Sequence, residues 1–180
     1  MFTKGESIEV RLKLKGGSEN ENKIEILCSN MHGFPSDKNN IEKIKAVDKL
    51  LEGKEIAIIL ETGNNSQQKL QLSKPEMTIS KENRMPKIKN SKYQSNGSGT
   101  AIFINKKYDH KPGCAKMNDH KHVTCVVQNE NGTKWIMAGI HAENGNAPKK
   151  WDNVNTDMIN LALKYNFPTI VYLDINTDVE

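Results

Sequence analysis

Residues 55–60 read EIAIIL, an apolar run too short for a helix and free of polar alternation, so it reads as a buried strand. Just before it, Ile41, Ile44, Val47, Leu50 and Leu51 recur at helical spacing, with Gly53 at the expected stop. Earlier still, IEILC (24–28) is another short apolar run. Strand, helix and strand in this order make a βαβ unit. The same layout returns near the end of the chain. There KWIMAGI (134–140) precedes an amphipathic pattern of Trp151, Val154, Met158, Leu161, Ala162 and Tyr165, which Pro168 closes before TIVYL (169–173).

The remaining segments fit around these two blocks. ESIEVRLKLK (6–15) alternates cleanly and ends at Gly16-Gly17, which predicts a half-buried strand and a turn ahead of the first block. Residues 63–98 are a polar excursion with a short strand near Met77–Ile79, and GTAIFI (99–104) is a further strand. HVTCVVQ (122–128) joins KWIMAGI through Asn131-Gly132, a strong hairpin signal. Only 36% of the chain is hydrophobic and 27% is charged, yet the apolar residues fall in compact blocks, which favours a folded protein with long polar loops over a disordered one. At 180 residues one domain, 1–180, is expected.

No apolar stretch reaches the length of a membrane span and no basic-then-apolar leader opens the sequence, so a soluble chain is expected. The net charge of +4 is mild, and arginine occurs only at Arg11 and Arg84. Such a lysine-rich surface attracts polyanions without the bidentate forks of arginine. The three cysteines, Cys28, Cys114 and Cys125, contain no CxxC pair, which points to free thiols in a reducing compartment.

Chemistry gathers where strands end. IEILC runs into Ser29-Asn30, EIAIIL into Glu61-Thr62, KWIMAGI into His141, and TIVYL into Asp174-Ile175-Asn176. In open α/β sheets, ligands bind at the carboxyl ends of strands, where the loops diverge. Carboxylates suit a hard divalent cation, amides orient phosphoryl oxygens, and an imidazole moves or donates a proton. Any one of these residues alone is a commonplace turn or cap residue; four strand ends in order are a stronger signal.

In that order they resemble the endonuclease/exonuclease/phosphatase superfamily, whose fold is deoxyribonuclease-I-like. The resemblance runs through CSNMHG, IAIILET, GSGTAIFI, IMAGIHA and VYLDINTD, over residues 24–178, with 1–23 as an additional strand and turn. It implies an α/β (α+β) fold, a four-layer αββα sandwich. It implies Mg2+ or Mn2+ held by Glu61 with help from Asn30, Asp174 orienting or activating water, and Asn176 and Asn30 on the phosphate. His141 falls where nuclease members place a histidine near the scissile phosphate. The implied activity is metal-assisted hydrolysis of a phosphodiester, with DNA or RNA as substrate. A lipid or inositol-phosphate phosphoesterase keeps the same core, and a catalytically incomplete relative that binds nucleic acid or protein is the rival reading.

The sequence departs from the family in two places. Leu173 stands where glycine normally precedes the Asp-x-Asn element. Family members also continue past Asp-x-Asn to a terminal Asp-His pair, whereas Glu180 is the last residue here. The expectation is a sandwich incomplete at its C-terminus, completed by a second chain or a second copy. Within DHKPGCAKMNDHKHVTC (109–125), three readings stay open. It is a polar loop before a strand, a zinc site drawn from His110, Cys114, His120, His122 and Cys125, or a substitute dyad from Asp109-His110 or Asp119-His120.

Overall fold

The computed structural model describes residues 7–13, 23–31, 33, 41–63, 70, 72–83, 99–112, 122–141, 156, 159–160 and 162–174. Nine strands and a helix are defined within them: β1 (Ser7–Lys13), β2 (Lys23–Asn30), α1 (Ile41–Leu50), β3 (Ile56–Leu60), β4 (Met77–Asn83), β5 (Thr100–Asn105), β6 (Asp109–Pro112), β7 (His122–Gln128), β8 (Lys134–His141) and β9 (Thr169–Asp174). Residues 156, 159–160 and 162–165 also have helical backbone, in the connection between β8 and β9.

The strands form two sheets, ordered β1-β2-β3-β5-β4 and β6-β7-β8-β9. Each sheet contains one parallel pair, β2 with β3 and β8 with β9, and these are the two strand–helix–strand blocks. A parallel pair needs a crossover connection, which a helix supplies, whereas antiparallel neighbours are joined by short turns. The β7–β8 hairpin closes at Asn131-Gly132, where Gly132 takes φ +80° and the Thr133 N–H donates to Asn129 Oδ1 at 2.8 Å.

Alternation decides which side chains meet. Ile24, Ile26 and Cys28 of β2, Ile56 and Ile58 of β3, and Ile102 and Ile104 of β5 face Val123, Cys125, Val127, Trp135 and Met137 of the second sheet. The opposite face of the first sheet carries Leu27, Ala57, Ile59, Ala101 and Phe103, covered by Val47, Leu51, Leu70 and Met77. β3 is therefore buried along its whole length, the physical reason its sequence shows no polar alternation. Among the described residues this makes three layers: helix, sheet, sheet. None of their helices is long and apolar enough to cross a membrane.

Three elements differ from the sequence reading. β2 reaches two residues further, so that Asn30 ends the strand. β4 runs well past Ile79, with an irregularity in register before Lys81. Asp109–Pro112, read as the start of a polar loop, is an edge strand paired with Cys125–Gln128. Pairing with β7 holds it extended, and Pro112, which has no N–H to donate, is tolerated on an edge strand. Of the second amphipathic pattern, Trp151, Val154, Met158 and Leu161 lie outside the described residues; Ala162 and Tyr165 are half-buried.

The sheets pack tightly at Gly139. A Cβ there would lie 2.6 Å from Ile58 Cγ2 and 3.2 Å from Leu60 Cδ2. Gly139→Ala is expected to cost about 1–3 kcal/mol by overpacking, read as a lower urea midpoint. Combined with Ile58→Ala, which removes the clashing methyl, the loss should fall short of the sum of the single effects.

Burial pushes the Cys28 and Cys125 thiols up to about 11. The unfolded chain ionises them near the ordinary value, so between roughly pH 9 and 11 the unfolded state binds fewer protons and stability falls as pH rises. Urea midpoints measured across that window should decline, and less steeply in Cys125→Ala.

Candidate functional site

Parallel pairing brings the chemistry of each block to one sheet edge. Asn30 is level with Leu60, so Glu61 follows one step further on the neighbouring strand. His141 is level with Asp174. Because β3 packs across β8 at Gly139, the two edges lie over one another. Asn30 Nδ2 donates to Asp174 Oδ2 at 2.6 Å, and His141 Nε2 lies 2.8 Å from Glu61 Oε1. Both contacts cross from one sheet to the other.

The site is dry. Asn30, Glu61 and His141 are each about 5–6% exposed and Thr62 is fully buried, with Asp174 half-buried beside them. One ligand atom from each of Glu61, His141 and Asp174 lies within 4.8 Å of the others, the only such group of three among the described residues. Two carboxylates this close repel one another in a water-poor site unless a positive charge stands between them. Oxygen ligands sit roughly 2.0–2.6 Å from Mg2+ or Ca2+, so two of them on one ion are at most ~4–5 Å apart. The spacing and the donor chemistry both fit a small hard cation.

A tight turn presents Glu61. Its φ is +52°, an unfavourable value for a residue with a Cβ. Hydrogen bonds on both sides hold it there: the Gly33 N–H donates to the Glu61 carbonyl at 2.7 Å, the Met31 N–H to the Leu60 carbonyl at 3.1 Å, and the Thr62 N–H to the Gly99 carbonyl at 2.9 Å. Gly63, at φ +69°, passes so close that a Cβ on it would lie 3.2 Å from Gly33 Cα. The loop after β2 and the turn after β3 thus interlock backbone to backbone.

Of the residues singled out in the sequence, Asn30, Glu61, His141 and Asp174 come together here. Asn176, Asp119, His120 and Cys114 lie outside the described residues. His110 does not join them. It pairs with Val127, which pairs with Trp135. Trp135 is six residues before His141 on β8, placing His110 on the order of 20 Å away along the strands. A dyad from Asp109-His110 is therefore at the wrong end of the sheet. The zinc reading also fails for its described members, because His110 is at one end of β6–β7, His122 at the other, and Cys125 is sealed in the core between the sheets. Gly63 and Gly139 escaped the sequence reading. A glycine inside a strand does mark close backbone approach, but not against which partner.

No protein-family model matches the sequence, and no curated protein matches it. Solved structures do. The human Nocturnin catalytic domain with bound sulfate anion superposes with a TM-score of 0.51 at 11% identity, covering 77% of this chain and 58% of that one. The endonuclease domain of TRAS1, a telomere-specific non-LTR retrotransposon, also gives 0.51 at 11% identity, covering 85% of this chain and 59% of that one. The fold is deoxyribonuclease-I-like. At this identity the likeness is one of fold, and the chain spans just under three-fifths of the length of either matched chain. Within this deoxyribonuclease-I-like fold, the Glu61–His141–Asp174 group sits at the edge where both parallel pairs end.

Holding Glu61 at positive φ costs roughly 1–2 kcal/mol. Glu61→Gly removes that cost and the crowding of two carboxylates but also the 2.8 Å contact with His141. Its thermal midpoint in chelator is therefore expected to stay close to that of the wild type, as measured by circular dichroism.

Proposed function

We propose that this chain is a divalent-metal-dependent phosphodiester hydrolase, a nuclease acting on DNA or RNA. The observation that carries the reading is the convergence of Glu61, His141 and Asp174, from three strands of two sheets, within 4.8 Å. The fold supports it, one of the matched structures being an endonuclease domain.

In this reading Glu61 and Asp174 hold Mg2+ or Mn2+, with Asn30 fixing the Asp174 carboxylate through its 2.6 Å hydrogen bond. The bound cation supplies charge stabilisation for the phosphate as it is attacked. Asp174 accepts a proton from the attacking water, and the new P–O bond forms in line with the one that breaks. His141 Nε2, 2.8 Å from Glu61 Oε1, orients that carboxylate beside the scissile phosphate, and the departing oxygen takes its proton from water. Asn176, two residues beyond Asp174, binds the phosphate. Burial of Glu61 and His141 keeps competing water away, so each charge acts with little screening. The same reading takes residues 1–180 as one domain and its architecture as a four-layer αββα sandwich. It assigns the helical residues 156, 159–160 and 162–165 to an outer layer over the second sheet.

The test is cleavage of supercoiled plasmid, single-stranded DNA and RNA with Mg2+, with Mn2+ and with chelator. Metal-dependent cleavage is expected, lowered about 10²–10⁴-fold in Glu61→Gln and in Asp174→Asn. Mn2+ should raise the thermal midpoint of the wild type and not that of Glu61→Gln. Cleavage that survives both substitutions, or a wild type that binds oligonucleotides without cutting them, would count against the hydrolase.

A further inference from the structure

α1 does not cover the whole first sheet. Val47 and Leu51 seat it over β2 and β3, and β1 extends beyond it as the edge strand. On the helix side, β1 presents Ser7 and Glu9 where an apolar face would otherwise invite packing. The result is a groove of about 870 Å³ between β1 and α1. Ligand pockets run from roughly 300 to 1,000 Å³, so the groove is large enough for a ligand well beyond a single ion.

Its walls are of two kinds. Met31, Ala46 and Leu50 supply apolar surface, and Ser7 and Ser29, hydrogen-bonded to one another at 2.9 Å, supply hydroxyls. Three lysines and two glutamates also line it. Lys54 and Glu9 pair at 2.7 Å and neutralise each other, and Glu52 sits just past the C-terminal end of α1. Lys43 lies at the other end, where the groove meets Asn30, Met31 and Gly33. Its Nζ is 3.2 Å from where a Cβ on Gly33 would stand, and the Gly33 N–H is itself bonded to the Glu61 carbonyl. Burial pulls the Lys43 ammonium below the ordinary lysine range, and a phosphate beside it would favour its charged form. A cation thus stands at the junction between the groove and the Glu61 turn, with apolar surface and hydroxyls beyond it. A nucleotide offers matching chemistry: an anionic phosphate for the cation, sugar oxygens for the hydroxyls and a base face for the apolar wall.

We propose that the groove between β1 and α1 is a secondary subsite holding a nucleotide that flanks the scissile phosphate of a nucleic-acid strand, with Lys43 on the phosphate nearest the Glu61 turn. The inference rests on the hydrolase reading for its substrate class but not for its test. Binding of a fluorescein-labelled oligothymidylate in chelator isolates the groove from catalysis. Lys43→Gln is expected to weaken binding about tenfold and to shrink the slope of log K against log salt by about 0.7, one single-strand phosphate contact. Ala46→Trp fills the groove from an exposed helix position; it should weaken binding similarly and leave that slope unchanged. Lys45→Gln, outside the groove on the same helix, should bind as the wild type does.

Unchanged affinity in both groove variants would overturn the subsite, as would an equal loss in Lys45→Gln, which would mark general surface charge. Hydrolysis of bis(p-nitrophenyl) phosphate by the wild type reads the catalytic centre separately. Cleavage of that diester with unaltered oligothymidylate binding in the variants sinks the groove and spares the hydrolase. Failure to cleave it, with binding weakened as expected, does the reverse.

Discussion

The close approach of β3 and β8 is the constraint on which the rest depends. Two twisted sheets pack about 10 Å apart when ordinary side chains fill the space between them. At Gly139 there is no Cβ, and the methyl of Ile58 occupies the gap. Glu61 lies three residues beyond Ile58 and His141 two beyond Gly139, so this tight contact lies just below the site. A buried carboxylate and imidazole at hydrogen-bond distance supply each other with a partner.

Local backbone geometry at the same edge runs against stability. Glu61 is held at positive φ, and the carboxylates of Glu61 and Asp174 are gathered within a cation's reach. Unfavourable conformations of this kind persist where the surroundings over-determine them, and they cluster at functional sites. Here the surroundings are identifiable. The Gly33 and Gly63 backbones pass in contact, and three backbone hydrogen bonds clamp Leu60, Glu61 and Thr62. The second Asn30–Asp174 link across the sheets then orients the other carboxylate. The groove beside α1 belongs to the same arrangement, because the Gly33 loop that braces Glu61 on one side meets Lys43 on the other.

Much of this was legible from residue order alone. The apolar run 55–60 marked a buried strand because burial on both faces leaves no polar alternation, and 24–28 and 134–140 also read as strands. Polar residues directly after those runs marked the working edge, because parallel strands in βαβ units end together. Edge elements were harder. Asp109–Pro112 has no hydrophobic pattern of its own, and its strand conformation comes from pairing with β7. The His and Cys residues of that region suggested a metal site by composition, yet alternation and register send His110, His122 and Cys125 to different places.

What the sequence by itself determined was the set of strands and the identity of the residues at their tips, since both follow from periodicity and chain order. Only the tertiary structure decided which tips meet. Asn30 and Glu61 belong to one sheet and His141 and Asp174 to the other, and no local rule relates the two. Their meeting follows from the packing of the two sheets on each other, close enough at Gly139 that a Cβ there would meet a methyl of Ile58. A glycine in a strand announces that something comes close, but only the folded chain supplies what that something is.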